Sequence, residues 1–271
     1  MTADENKPTP LYAHVETSDI VATGISVTGN VRFENEDSIW IDDSGLVLAV
    51  ADGMGGHERG AEASQTTIKV FKERLNREKI NEEIRDVTAL LGVPPEIGSL
   101  YTIIHRSVDE AANVLYERNL ELMLSRYMGT TIVGLVLVQD QHVLWFHVGD
   151  SRLYRWRDSV LKRLTIDHSL HAEWEKAGQV GPEPAKNIIT RVIGGTPNVE
   201  ADIQWEKREK DDIYILCSDG LTDMISDEQI EEILKKANTV KDTARQLVDE
   251  ALAAGGKDNI SVVVCQTHLP A

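Results

Sequence analysis

Three pairs of strand-like apolar runs in this chain are separated by only three or four residues each, and that spacing restricts the fold more than any other feature. Residues 37–41 and 46–51 flank Asp42-Asp43-Ser44-Gly45. Residues 131–138 and 142–148 flank Gln139-Asp140-Gln141, and residues 153–156 and 160–164 flank Arg157-Asp158-Ser159. Connections this short join antiparallel neighbours, because parallel strands need a crossover of a dozen or more residues. Residues 24–29, 213–217 and 260–265 read as further strands.

Helical patterns fall between these groups. Residues 61–77 and 100–125 carry helical apolar spacing, with a break at residues 92–95. Ser226 followed by Gln229 reads as a capping box for a helix to about residue 237, and Thr239 caps another that stops at Gly255-Gly256. Grouped strands and grouped helices predict an α+β fold. Its antiparallel sheets are covered by helices rather than doubly wound in parallel. Residues 1–10 are polar with two prolines, so residues 1–17 read as a loose tail before a single domain over 18–271. Residues 167–196 begin helical and then turn rich in Gly and Pro, the mark of a functional loop or lid.

The formal charge is −17. Basic residues are scattered, so a nucleic-acid surface is excluded. No apolar run approaches the roughly 20 residues of a membrane span. Cys217 and Cys265 both sit in apolar runs and read as buried free thiols, which with no signal peptide suggests a cytoplasmic chain.

Four Asp-bearing segments stand at the ends of apolar runs beside turn residues: Asp52-Gly53, Gly149-Asp150, Ser218-Asp219-Gly220 and Lys257-Asp258-Asn259. Any one of them is more often a turn former or helix cap than a ligand. As a set, they are hard oxygen donors held by rigid strands, the pattern of a Mg²⁺ or Mn²⁺ site assembled from distant sequence. Glycine after Asp52 permits close backbone approach, so the Gly53 carbonyl joins the candidate ligands.

Seven pieces occur in order: residues 32–37 (Arg-Phe-Glu-Asn-Glu-Asp), 51–57 (Ala-Asp-Gly-Met-Gly-Gly-His), 128–131 (Met-Gly-Thr-Thr), 148–152 (Val-Gly-Asp-Ser-Arg), 164–169 (Leu-Thr-Ile-Asp-His-Ser), 218–223 (Ser-Asp-Gly-Leu-Thr-Asp) and 256–260 (Gly-Lys-Asp-Asn-Ile). Together they resemble the metal-dependent protein phosphatases of the protein phosphatase 2C type, in their compact bacterial form. That resemblance implies two packed antiparallel β-sheets flanked by α-helices, an αββα sandwich with a flap near the active site. It implies that Asp52 bridges two divalent ions, Mn²⁺ or Mg²⁺, with Gly53 on the second and Asp219 and Asp258 on the first. Glu36 and Asp37 would act through metal-bound water, and Asp150, with Asp219 and Asp223, would hold a weaker third ion.

A water bridging two such ions is a hydroxide source near neutral pH. Arg32 would grip the phosphate, and His57 would protonate the leaving serine or threonine oxygen. Phosphoprotein substrates, a cognate serine/threonine kinase among them, and a monomeric state are the expected context. Cysteine-nucleophile chemistry fits badly, since the position six after Cys217 is Asp223 and not Arg. The competing reading is a catalytically silent binding protein on the same fold. A degenerate member loses an aspartate, and here all are present. Two departures stand out: the flap's middle, residues 178–186, is short and lacks a His-Pro pair, and residues 81–99 read as an extension.

Overall fold

The computed structural model describes residues 8–55, 58–84, 94–138 and 141–268. In chain order its strands are β1 Leu11–Glu16, β2 Ile20–Val27, β3 Asp37–Ile41, β4 Val47–Met54, β5 Gly129–Thr130, β6 Ile132–Val138, β7 His142–Val148, β8 Arg152–Arg157, β9 Val160–Arg163, β10 Asp202–Lys207, β11 Ile213–Cys217 and β12 Ile260–Thr267. Its helices are α1 Glu58–Arg74, α2 Arg77–Ile84, α3 Pro95–Glu121, α4 Leu170–Lys176, α5 Asp219–Thr222, α6 Asp227–Lys236 and α7 Val240–Ala253. One sheet runs β1-β2-β12-β11-β8-β9 and the other β10-β7-β6-β4-β3, with β5 beside β4. All pairings are antiparallel.

The two sheets pack face to face through Leu48, Val50, Val133 and Leu135 on one side and Leu153, Leu216, Val263 and Cys265 on the other. Helices α1 and α3 cover the outer face of the second sheet, where Phe71, Leu100 and Ile104 meet Ala49, Val136 and Phe146. Helices α6 and α7 cover the first sheet through Ile230, Leu247 and Val248 against Ile215, Val262 and Val264. Residues 262–265 of β12 are apolar without a break because alternate side chains enter different cores. Val263 and Cys265 face the other sheet, while Val262 and Val264 face helices. This is the αββα sandwich that the resemblance implied, with the antiparallel pairing that the hairpins predicted. Both cysteines are buried free thiols.

Three expectations need correction or refinement. Leu11–Glu16 is not tail: it pairs with β2 from Leu11↔Ser26 to Glu16↔Val21. Its side chains are exposed or half-buried, as on an edge strand, so apolar content did not mark it. Residues 1–7 lie outside the described residues. Strand β10, Asp-Ile-Gln-Trp-Glu-Lys, was also unforeseen, being a polar edge strand laid on β7. Helix α3 begins at Pro95, earlier than its apolar spacing indicated, because proline suits a first helical turn whose N–H needs no partner. The expected capping box at Ser226 and Gln229 and the Thr239 cap are both present.

Within residues 167–196 the Ser169 hydroxyl accepts from Ala172 N at 3.2 Å and caps α4. The far end of this segment is tied down where Leu170 N donates to Ile188 O at 2.9 Å and Thr190 N to His168 O at 2.8 Å. Among the described residues no helix is long and apolar enough to cross a membrane.

Candidate metal centre

The candidate carboxylates gather at one end of the sandwich because each stands where a core strand meets a turn. Asp37 opens β3 and lies opposite Asp52 near the end of β4. Asp219 follows β11 and opens α5, and Asp258 precedes β12, the neighbour of β11. Asp150 follows β7 across the turn at Gly149. That glycine has φ +104°, and a Cβ there would come within 2.6 Å of Thr131 Cγ2. At Gly53 a Cβ would stand 2.0 Å from the Gly60 carbonyl oxygen, so only glycine lets α1 approach β4 here.

Hydroxyl and amide groups hold these carboxylates in place. Asp52 N donates to Thr131 Oγ1 at 3.0 Å. The Asp52 carbonyl accepts from Thr131 N at 2.9 Å and from Thr130 Oγ1 at 2.8 Å. Ser218 Oγ donates to Asp37 Oδ2 at 2.9 Å and itself accepts from Ser261 N at 3.0 Å. Asn259 binds the loop that carries Glu36: its Oδ1 accepts from Glu36 N at 2.8 Å, and its Nδ2 donates to Thr28 O at 3.0 Å and Glu34 O at 2.8 Å. The sequence motifs contain these residues except Thr28 and Ser261, but a hydroxyl's hydrogen-bond partner cannot be read from spacing.

The electrostatics are those of crowded, partly dehydrated anions. Burial pushes the Asp37 carboxyl up to about 7, with Asp219 and Asp258 adding repulsion. Asp150 is likewise driven to about 7 by burial and by Asp219. Asp219 rises to about 6 through burial, then through Asp223 and Asp258. Asp52 is held well above the ordinary range by burial and then by Asp37, Asp219, Asp150 and Asp258. Like charges crowd this way where a cation is meant to sit between them. The donors are all oxygen, which suits Mg²⁺ or Mn²⁺. Asp37 Oδ1 is buried with no hydrogen-bond partner, an acceptor free to take part.

The outer candidates differ in placement. Asp150, Asp219 and Asp223 line a cleft of about 200 Å³ under the flap, together with Arg152, Asp167 and Lys186. Asp223 itself is exposed. Glu36 is buried, and its Oε1 accepts from Gly60 N at 3.1 Å. Arg32 sits at the exposed rim, where its Nη2 donates to Asp258 Oδ2 at 2.6 Å. His57 lies outside the described residues.

A second cluster had no role in the sequence reading. His147 and His168 are buried and stacked, with ring centroids 4.5 Å apart and planes 19° from parallel. His168 Nε2 stands 3.5 Å from Asp202 Oδ1. The spacing invites a metal, but the geometry opposes one. Nitrogen lone pairs lie in the ring planes, and nearly parallel stacked planes do not converge on one ion. Gly149 N also donates to His168 Nδ1 at 3.1 Å, which leaves the ring proton on Nε2. Since His168 N donates back to Gly149 O at 3.0 Å, this pair fixes the turn that aims Asp150.

Known proteins match this arrangement. The family model described as Protein phosphatase 2C matches residues 33–256. The serine/threonine phosphatase Stp of Listeria monocytogenes is 34% identical over 251 residues, covering 89% of this chain and 93% of that protein. The crystal structure of the Mycobacterium tuberculosis serine/threonine phosphatase PstP/Ppp superposes with a TM-score of 0.79 at 30% identity, covering 93% of this chain and 100% of that one. The catalytic domain of PstP in complex with two manganese ions gives 0.75 at 31% identity, covering 93% and 99%.

Proposed function

The chain belongs to the protein phosphatase 2C family and is a metal-dependent protein serine/threonine phosphatase, and from that premise we propose which of its residues do the work. The observation that carries the assignment is the convergence of Asp37, Asp52, Asp150 and Asp219, each raised by burial and by its neighbours.

We assign Asp52 as the bridging ligand, the Gly53 carbonyl to the second ion, Asp219 and Asp258 to the first, and Asp150 with Asp219 and Asp223 to an outer ion. Divalent cations bound there neutralise the phosphate and lower the pKa of water they coordinate. Asp37 and Glu36 are assigned to act through metal-bound water, Asp37 with the carboxylate oxygen not bonded to Ser218. Arg32, with its planar fork at the exposed rim, is assigned the non-reacting phosphate oxygens. His57, next to the Gly53 turn in sequence, is assigned the proton delivered to the departing serine or threonine oxygen. In-line attack breaks the phosphorus–oxygen ester bond, and no covalent phosphoenzyme is needed.

Phosphorylated proteins are the substrates. We propose that a cognate serine/threonine kinase is among them, that the chain acts as a monomer, and that it works in the cytoplasm, where buried free thiols persist.

Purified protein with Mn²⁺ is expected to hydrolyse a phosphothreonine peptide, and chelator to stop it; absence of metal-dependent turnover overturns the reading. His57→Ala is expected to slow alkyl phosphates by about 100-fold and an activated aryl phosphate far less. Equal losses on both would remove His57 from the acid role.

A further inference from the structure

The end of the sandwich opposite the carboxylates holds a cavity of about 540 Å³. It is formed by the other ends of the same strands. Ser44 and Leu46 belong to the β3–β4 turn, Leu137 and Val138 end β6, and Gln141 lies in the β6–β7 turn. The rise of β4 alone separates this cavity from Asp52 by roughly 20 Å.

Two guanidinium groups line it, Arg208 just after β10 and Arg77 at the start of α2. Arg208 is only 6% exposed. Its Nε is buried without a hydrogen-bond partner. Among the described residues its one side-chain hydrogen bond is a long one, Nη1 to the Asp19 carbonyl oxygen at 3.4 Å. Among the described residues no carboxylate pairs with Arg208 or with the exposed Arg77. By contrast Arg157, on β8 of the other sheet, is clamped by Asp212 at 2.6 Å and Glu209 at 2.7 Å. A buried cation that no described carboxylate pairs is costly unless something binds it, and Arg208 borders a cavity large enough for a small molecule.

We propose that this cavity is a binding site for a small organic anion that carries one phosphate or carboxylate together with hydroxyl groups, separate from the metal centre. Arg208 and Arg77 supply fork-like donors for the anionic end. Two carboxylates, Asp19 and Glu96, line the same space and would repel a highly charged ligand while accepting hydrogens from hydroxyls. Leu46, Leu137 and Val138 offer an apolar floor for the carbon skeleton.

The test is an amide NMR titration of the Mg²⁺-loaded protein with inorganic phosphate and with glycerol 3-phosphate. Saturable shifts at Ser44, Gln141 and Arg208 are expected in roughly the millimolar range, tighter for glycerol 3-phosphate. Arg77→Gln, an exposed change, is expected to weaken that binding about tenfold. Arg208→Met is expected to abolish it and to raise the melting temperature in anion-free buffer, because it removes an unpaired buried charge. Shifts confined to Gly53 and Gly220 would put the anion in the metal centre and overturn the proposal. Binding that survives both substitutions would overturn it equally.

Discussion

The two ends of the sandwich are built by the same strands and present opposite electrostatic problems. At the metal-centre end, several anions crowd together, each pushed up by burial and by its neighbours. They are held there by a clamp of hydroxyls and amides. At the far end a buried guanidinium has a long hydrogen bond to a carbonyl and, among the described residues, no carboxylate paired with it. Strand cores settle geometry but not charge: the apolar middle of the strands fixes the frame, and the turns at either end are free to carry unbalanced charge for a ligand to neutralise.

The contrast is broken most strongly at the carboxylates. Asp219→Asn and Asp258→Asn are each expected to lower kcat/KM by about 1000-fold or more, since charge stabilisation of this kind usually dominates catalysis. The same Asp219→Asn change should raise the thermal stability of metal-free protein, because it removes one of several repelling charges. Loss of stability in the chelated protein would show that the cluster is structural, and the parallel with Arg208 would fail.

A smaller effect comes from the stacked histidines behind Gly149. Burial, and then the neighbouring His147, lower His168 from 6.5 to about 4. The folded protein therefore keeps this ring neutral while the unfolded chain takes up a proton below pH 6.5. The stability linked to it is complete above pH 6.5 and is lost as pH falls towards 4, by about 3 kcal/mol in all. The buried aspartates have the opposite sign. Their folded-state values are raised, so metal-free protein gains from them as pH falls from 7. Denaturant unfolding of the Mg²⁺-loaded protein at pH 7 and pH 5 separates the two, with His168→Gln losing most of the acid-induced drop. An unchanged drop in that variant would remove His168 from the account.

How much of this was legible depends on the kind of interaction. Hairpins such as residues 142–148 were readable because apolar runs and short turns are local signals. The edge strands β1 and β10 were not, since half their side chains face water and pairing alone makes them strands. Asp52, Asp219 and Asp258 could be picked from their positions at strand ends. The Thr131 and Ser218 clamps, the Asn259 hub and the buried Arg208 could not, because each depends on residues far away in sequence: Asn259 bonds Glu36 across 223 positions and Arg208 bonds the Asp19 carbonyl across 189.

The clamps give the finest test of the contrast. Thr131→Val removes the acceptor for Asp52 N while keeping the side-chain shape, and Ser218→Ala removes the donor to Asp37 Oδ2. Neither residue is assigned to a metal or to the phosphate. Groups that orient ligands at one remove commonly matter by 10- to 100-fold in metal affinity, and each change is expected to weaken Mn²⁺ binding by about tenfold. Isothermal titration with Mn²⁺ measures this directly, and excess Mn²⁺ should restore most of the activity if positioning is what was lost. Wild-type affinity in both variants would mean that burial alone holds the carboxylates. The two ends of the sandwich would then differ only in the sign of the charge they leave unbalanced, and the hydroxyl clamp would have no part in the metal centre's selectivity.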